Sequence, residues 1–422
     1  MKLNKLSKSK VLIFGYGIEG KALYAILKKY YPNTTIMVVS DKFEPDIPEY
    51  IEHAQALRAV DNHTVLVKSQ GIPYHHDFIK ACKDKGIVIT TLTNIFMAEK
   101  KGINMIIGIT GTKGKSTTVS LLTHVLNKVG KKAIAVGNIG DPAINYLNEF
   151  KDTIFVYEFA SYQTGDLQIA PDIGIILNIY ADHMDYHGDA ATYHEAKFRM
   201  IRLMSQDDHF FYHPDYSQLV KLAKEVKATS QSFPNLADKI VEHLPIKGSH
   251  IAENTRSIIA VTRLLNIADQ LALQAMQDFQ PLPHRSEVIA EINGITFIND
   301  SIATVPQASI AGMRANKDRL GAVILGGMDR GYDFASLTDE IARYPGLKVY
   351  LLPGADIMAE VLAEHDITFT QFNTMDDIIK QAILDLKPGQ ICLLSPGSPS
   401  YNIYRDYKQR GDDFRRSIEK LS

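Results

Sequence analysis

Residues 108–118 read Gly-Ile-Thr-Gly-Thr-Lys-Gly-Lys-Ser-Thr-Thr and follow a mostly apolar run, Ile103 to Ile107. A strand that runs into a glycine turn, then a lysine and hydroxyls opening a helix, is an arrangement for holding a triphosphate. Backbone N–H groups and the helix N-terminus face the anion. Gly111, Thr112, Lys113 and Gly114 would form the loop, Lys115 would reach the β/γ-phosphates, and Ser116 or its neighbour Thr117 would ligate Mg²⁺. The strict P-loop spacing needs a glycine five residues before Gly114, where this chain has Ile109, so the loop is a shorter variant. The plain alternative is a turn that merely connects strand to helix.

Downstream segments offer groups that phosphoryl transfer uses. Val156-Tyr-Glu158-Phe-Ala-Ser161-Tyr-Gln163 puts a carboxylate at the end of an apolar strand, where it can bind the Mg²⁺ that bridges phosphates. A solvated strand-end acid is the alternative. Leu177-Asn178-Ile-Tyr-Ala-Asp182-His183-Met-Asp185-Tyr-His187 follows another strand, and ligands of α/β sheets bind at strand carboxyl ends. His183 or Asp182 suits a metal there, while His187 reads as a surface histidine. Lys197 follows on a helical stretch, Tyr193 to Met204, where spacing alone makes it a solvated lysine.

Gly15-Tyr16-Gly17-Ile-Glu-Gly20 follows a strand and precedes Asp41 by about twenty residues, which matches the dinucleotide fingerprint. An NAD site, a site for another nucleotide such as a uridine diphosphate, and a tight strand–helix turn all remain open on this pattern. In the last third, three loops follow expected strands: Asn299-Asp300-Ser301, Gly326-Gly327-Met-Asp329-Arg330-Gly331-Tyr-Asp333-Phe334, and Ser395-Pro-Gly397-Ser398-Pro-Ser400. They can share one face of a sheet. Arg285 by itself reads as a surface arginine.

These groups need elements to position them. The chain has 422 residues, is 45% hydrophobic and 22% charged, and carries a net charge of −2. It has room for two or three well-cored domains, and nothing in its charge argues for wholesale nucleic-acid binding. Two cysteines, Cys82 and Cys392, fit a reducing cytosol and exclude a disulfide scaffold or a cysteine-based zinc site. The apolar run Val11 to Phe14 is too short for a signal peptide, and no run approaches transmembrane length, so the expectation is a cytoplasmic protein. Strands are expected at Val11–Phe14, Ile36–Val39 and Val65–Lys68. A second α/β block adds Ala133–Val136, Thr153–Glu158 and Ile173–Asn178. A third has Ile295–Ile298, Ala322–Leu325, Lys348–Leu352 and Ile391–Leu394. Residues 281–285, Pro-Leu-Pro-His-Arg, read as a hinge because two prolines break the preceding helix. The pattern is α/β with doubly wound character.

In their order and spacing, TGTKGKST (110–117), GNIG (137–140), YEFASYQ (157–163), LNIYADHMDYH (177–187), the helix with Lys197, LPHR (282–285), FINDS (297–301) and the GGMDRGYDF loop resemble the Mur ligases, most closely the MurD type. These are ATP-dependent amino-acid ligases of peptidoglycan precursor synthesis, and the resemblance covers nearly the whole chain. It implies three domains: a Rossmann-like UDP-substrate domain (1–102), a central P-loop-type ATPase domain (103–281) and a Rossmann-like amino-acid-binding domain (282–422). It reassigns Gly15, Tyr16 and Gly17 from NAD to a UDP moiety, with Asp41, Ser69 and Gly71 nearby. Asn138, Ser161 and Gln163 are implied to position the muramoyl-alanine end. The resemblance further implies ATP, two Mg²⁺ sites held by Ser116 or Thr117, Glu158 and His183, and a carbamylated Lys197 beside them. Lys115, Glu158, His183 and Lys197 would carry the chemistry. Asn254 would contact adenine, Arg285 the phosphates and Asp300 the hinge-side ATP. The substrates implied are UDP-N-acetylmuramoyl-L-alanine, glutamate and ATP, without nucleic acid or membrane partners, in a monomer.

The sequence departs from the family pattern where glutamate would bind. MurD enzymes read NDSKATN; here Ile302 replaces the lysine and Val305 the asparagine, while Thr304 is retained. Arg330 stands where the glycine loop offers lysine, and Tyr407 where a phenylalanine follows the last loop, which ends at Ser400. Arginine forks where lysine is a point charge, so two carboxylates would be gripped differently. The family default is D-glutamate, and these changes keep L-glutamate as the alternative. Ile251 replaces an asparagine usual near adenine. A folylpolyglutamate synthase would lack the first hundred residues. An NAD-dependent dehydrogenase leaves the phosphate loop unexplained, and a non-catalytic nucleotide-binding regulator would not need Glu158, His183 and Lys197.

Overall fold

The computed structural model describes residues 1–41, 47–100, 105–139, 142–149, 151–180, 184–236, 249–280, 282–329 and 331–421. The chain divides into two compact units, one built on residues up to Phe279 and the other from Gln280 onward. Among the described residues there are three sheets.

The first unit holds two sheets. β1 (Lys10–Phe14), β2 (Ile36–Val39), β3 (Thr64–Lys68) and β4 (Val88–Thr91) form a parallel sheet of order β2-β1-β3-β4. β5 (Met105–Thr110), β6 (Ala133–Gly137), β7 (Ile154–Glu158), β8 (Ile173–Ile176), β9 (His209–Tyr212) and β10 (Thr229–Ser232) form a second, wholly parallel sheet of order β10-β9-β8-β5-β7-β6. Parallel sheets bury both faces, so their strands read as near-continuous apolar runs. Ile154–Glu158 is buried throughout, its glutamate included.

The second unit is built on β11 (Glu287–Ile292), β12 (Ile295–Asn299), β13 (Leu320–Leu325), β14 (Lys348–Leu351), β15 (Thr370–Gln371) and β16 (Ile391–Leu394). The order is β11-β12-β16-β13-β14-β15, and only the β11–β12 pair is antiparallel. Asn293 and Gly294, both at positive φ, turn that hairpin. The neighbours β12, β16 and β13 run parallel, so the three loops named above leave the same edge of the sheet.

The expected strands all form, with ends shifted by up to three residues. β4, β9, β10, β11 and β15 are additions. The Ile173–Asn178 strand stops at Ile176, because Asn178 turns to serve the phosphate loop.

Candidate active site

β5 is flanked by β8 and β7, and its last residue, Thr110, feeds the loop. Gly111 has φ 156° and Gly114 has φ 82°, and Gly114 caps the helix Lys115–Lys128. A side chain at Gly114 would meet Asn254 Oδ1 at 2.8 Å. Asn254 sits on the helix Ser249–Leu264, is buried, and its Oδ1 has no hydrogen-bond partner in the structure. A buried acceptor without a partner is costly, so this atom is poised for a donor the protein does not itself supply.

The Lys115 ammonium donates to the carbonyls of Gly111 (2.9 Å) and Thr112 (3.0 Å). Lys197 donates to the same Gly111 carbonyl at 3.1 Å and lies 4.4 Å from the Tyr193 ring centroid. Its side chain is buried, which corrects the expectation of a solvated helix lysine. The physical reason is its face of the helix Ala190–Arg202: Tyr193, Lys197, Met200 and Ile201 all point inward. His187 is likewise buried rather than at the surface, and its Nε2 lies 3.0 Å from Ser161 Oγ.

Glu158 ends β7 and pairs in register with Ile109, immediately before the loop. Its Oε1 accepts from Asn138 Nδ2 at 2.9 Å, while Oε2 is buried without a partner. Ser116 is buried in the first turn of the helix, and Thr117 is half-buried beside it. A buried carboxylate oxygen left open beside a phosphate loop fits a hard divalent cation. His183 and its neighbour Asp182 lie outside the described residues, as does Arg330. Among the described residues no cluster of three or more His, Cys, Asp or Glu forms a metal cage.

Ser161 and Gln163 sit on the short helix Ser161–Thr164. Gln163 accepts from Ala160 N at 3.0 Å and donates to Thr93 Oγ1 at 3.3 Å, so both ends of its amide serve the fold. Ser161 lines a cavity of about 350 Å³ together with Tyr162, Tyr186, His187 and Tyr74.

At the first sheet, Ser69 Oγ donates to Gly15 O at 2.9 Å, and Gly15 has φ 92°. A side chain at Gly15 would crowd Ser69 Oγ at 2.9 Å, so this turn requires glycine. Gly17 caps the helix Ile18–Tyr30, Tyr16 packs edge-on against Tyr24, and Gly71 lies in the turn after β3. Asp41 Oδ1 is 3.1 Å from His53 Nε2 and 3.6 Å from His76 Nε2. These residues follow β1, β2 and β3, so they gather at one carboxyl edge.

In the second unit, Asp300 is buried and accepts from Ser286 N (3.1 Å) and Ser395 Oγ (3.1 Å). Burial pushes its carboxyl up to about 7, against the lowering effect of those bonds and of the Arg285 cation. Such a group disfavours the folded unit progressively as pH rises from about 4 to 7, because the unfolded chain ionises first. Asp300→Asn is therefore expected to gain stability relative to the parent across that window, by on the order of 2–4 kcal/mol. Denaturant titrations of both proteins at pH 4, 5.5 and 7.5 measure it. A stability difference independent of pH would contradict the assignment.

Ile302 and Thr304 are half-buried after β12, and Tyr407 opens the helix Tyr407–Glu419. Ser400 is buried and its Oγ lacks a partner. Arg410, missed from the sequence, joins these loops. It is fully buried and donates to Ser301 Oγ (3.0 Å), Ser301 O (2.8 Å), Ser398 O (3.0 Å) and Gly326 O (3.4 Å). The signal was its spacing with Phe414, Ser417 and Ile418, a buried face on an otherwise polar helix.

Residues 109–259 match the Mur ligase middle domain. Over the whole chain, the sequence is 30% identical to a UDP-N-acetylmuramoylalanine–D-glutamate ligase of Ligilactobacillus salivarius, covering 100% of this chain and 98% of that one. The chain belongs to the Mur ligase family. It is also 29% identical to a UDP-N-acetylmuramoyl-L-alanine–L-glutamate ligase of Xanthomonas euvesicatoria pv. vesicatoria, over 98% of this chain and 96% of the relative. Among solved structures, the MurF ligase of Thermotoga maritima in complex with ADP shares the fold with a TM-score of 0.63 at 14% identity, each chain covered in full. As a Mur ligase, this protein is an ATP-dependent ligase.

Proposed function

We propose that this Mur ligase adds glutamate to UDP-N-acetylmuramoyl-L-alanine in peptidoglycan precursor synthesis, with ATP cleaved to ADP and phosphate. One observation carries the site assignment: buried Glu158, with an open Oε2, stands in register beside the loop on which Lys115 and Lys197 converge. A carboxylate does not react with an amine near neutral pH, because oxide is a poor leaving group. Transfer of the γ-phosphoryl group onto the alanyl carboxylate makes an acyl phosphate, whose phosphate leaves readily. The glutamate amine then attacks, and the tetrahedral adduct collapses to amide and phosphate. Lys115 and the helix N-terminus neutralise charge on the phosphoryl oxygens in flight.

Mg²⁺, when bound, would supply positive charge against the phosphate oxygens. Ser116 or Thr117, Glu158, His183 and a carbamylated Lys197 would hold it. Two ammonium groups on one carbonyl repel each other; loss of one proton from the Lys197 ammonium gives the amine, and its addition to CO₂ with loss of a second proton would leave an anionic carbamate. Glu158→Gln and Lys197→Met are both expected to raise the Mg²⁺ needed for half-maximal rate by about tenfold or more. An unchanged Mg²⁺ dependence in either variant removes that residue from the metal site.

The same reading assigns Asn254 to adenine, Arg285 to phosphates and Asp300 to the hinge side of ATP. It gives the UDP end to Gly15, Tyr16, Gly17, Asp41, Ser69 and Gly71. Asn138, Ser161 and Gln163 take the muramoyl-alanine end. Ile302, Thr304, Arg330, Ser400 and Tyr407 take glutamate, and the open Ser400 Oγ supports a ligand there. Three domains, 1–102, 103–281 and 282–422, divide these tasks. Among the described residues no helix is long and apolar enough to cross a membrane; the reading places the enzyme in the cytoplasm as a monomer.

D-glutamate is the isomer proposed. L-glutamate is the second reading, favoured by Ile302 at the lysine position and by the likeness to the L-glutamate ligase of Xanthomonas. Phosphate release measured with each isomer decides: a higher kcat/KM for D-glutamate is expected, and a higher value for L-glutamate replaces the first reading by the second.

A further inference from the structure

Asn178 is buried two residues past the end of β8, at the base of the phosphate loop. Its Oδ1 accepts from the backbone N–H of Thr112 (3.1 Å) and of Lys113 (2.8 Å), and its Nδ2 donates to the Lys113 carbonyl at 3.1 Å. Its own carbonyl accepts from Thr112 N at 3.2 Å. One side-chain amide thus pairs with both the N–H and the C=O of Lys113, as a neighbouring strand would. Only a planar amide offers acceptor and donor together in that geometry; aspartate lacks the donor and alanine lacks both. A second clasp backs it: Thr112 Oγ1 accepts from Tyr180 N at 3.0 Å and from Tyr193 Oη at 3.3 Å. Gly111 is pressed against the same turn, since a side chain there would lie 3.1 Å from Leu177 Cβ and 3.4 Å from Asn178 N.

We propose that Asn178 is a positioning residue for ATP: it holds the first half of the phosphate loop in the shape that binds the nucleotide, without touching the nucleotide itself. Its amide commits the Thr112 and Lys113 N–H groups to the protein, so the anion is met by the second half of the loop and the first helical turn. By fixing Thr112 and Lys113 it also fixes the Gly111 carbonyl on which Lys115 and Lys197 converge. It ties this loop to the strand end whose sequence continues into Asp182 and His183. A loop freed from this clasp must be ordered by the nucleotide, and affinity falls by the cost of that ordering.

The inference rests on the ATP site proposed above, and its test separates the two. ADP with Mg²⁺, and separately UDP-N-acetylmuramoyl-L-alanine, are titrated calorimetrically into the parent, Asn178→Asp and Asn178→Ala. Asn178→Asp keeps the shape and the acceptor but loses the bond to the Lys113 carbonyl and adds a negative charge near the phosphates. The expected result is an ADP Kd raised about tenfold or more in both variants, more in Asn178→Asp, corresponding to loss of at least one such bond. The Kd for UDP-N-acetylmuramoyl-L-alanine should stay within about twofold of the parent. Unchanged ADP binding in both variants overturns the proposal. So does an equal loss for both ligands, which marks general structural damage. Absence of ADP binding by the parent itself would instead sink the ATP-site assignment.

Discussion

Lys115→Ala is expected to lower kcat for ATP-dependent phosphate release by about 10²–10³-fold or more, the loss seen when one preorganised donor to a developing anion is removed. The side chain begins the helix Lys115–Lys128 and curls back over its own loop, donating to the Gly111 and Thr112 carbonyls. These bonds hold it within its own loop, and the variant should fold with a melting temperature near the parent's. Because the charge matters most when the γ-phosphoryl group is in flight, kcat should fall further than ATP affinity. Lys115→Arg is expected to rescue little, since a forked guanidinium does not fit where a compact ammonium sits between two carbonyls. Steady-state phosphate release with saturating substrates measures this. A variant with parental kcat would remove Lys115 from the chemistry.

Arg410→Met carries the largest expected cost in stability. The guanidinium is fully buried, and among the described residues no carboxylate pairs with it. Burial lowers its pKa to about 10, which still leaves it charged near neutral pH. What compensates the buried charge is its set of hydrogen bonds to the loops after β12, β13 and β16. Methionine replaces the stem but leaves three carbonyls and the Ser301 hydroxyl short of a donor. Each buried polar group left unsatisfied costs about 1–3 kcal/mol, so a loss of about 3–5 kcal/mol is expected after relaxation. For a unit of this size that is roughly 10–20 °C in Tm. Arg410→Lys keeps a cation but not the fork, and is expected to recover only part of the loss. Scanning calorimetry reads both; a Tm for Arg410→Met within about 2 °C of the parent would contradict the role.

Some of this was legible in the chain and some was not, for physical reasons. Strands such as Ile36–Val39 and Ile391–Leu394 stand out because a parallel strand buried on both faces is apolar without interruption. β10, Thr229–Ser232, carries no such signal: it is an exposed edge of polar residues held by backbone pairing to β9. β11 was readable in principle, since Asn293-Gly294 between apolar residues is a hairpin signal. The phosphate loop was visible because its chemistry is local, eleven consecutive residues with glycines, lysine and hydroxyls in register. The clasp by Asn178 was not, because its partners lie more than sixty residues earlier. Lys197 shows the limit of reading charge alone. A lysine suggests solvent, yet its four-residue spacing from Tyr193 puts it on the buried face, beneath the loop it serves.

In the proposed reaction ATP activates the alanyl carboxylate before glutamate attacks. Oxygen tracing tests it most directly. UDP-N-acetylmuramoyl-L-alanine labelled with ¹⁸O in its carboxylate is turned over with ATP, Mg²⁺ and glutamate, and the released phosphate is analysed by mass. Attack of that carboxylate on the γ-phosphorus, followed by displacement of phosphate from the acyl carbon by the amine, predicts one ¹⁸O atom in each phosphate released from labelled substrate. Amide formation with unlabelled phosphate would contradict the account.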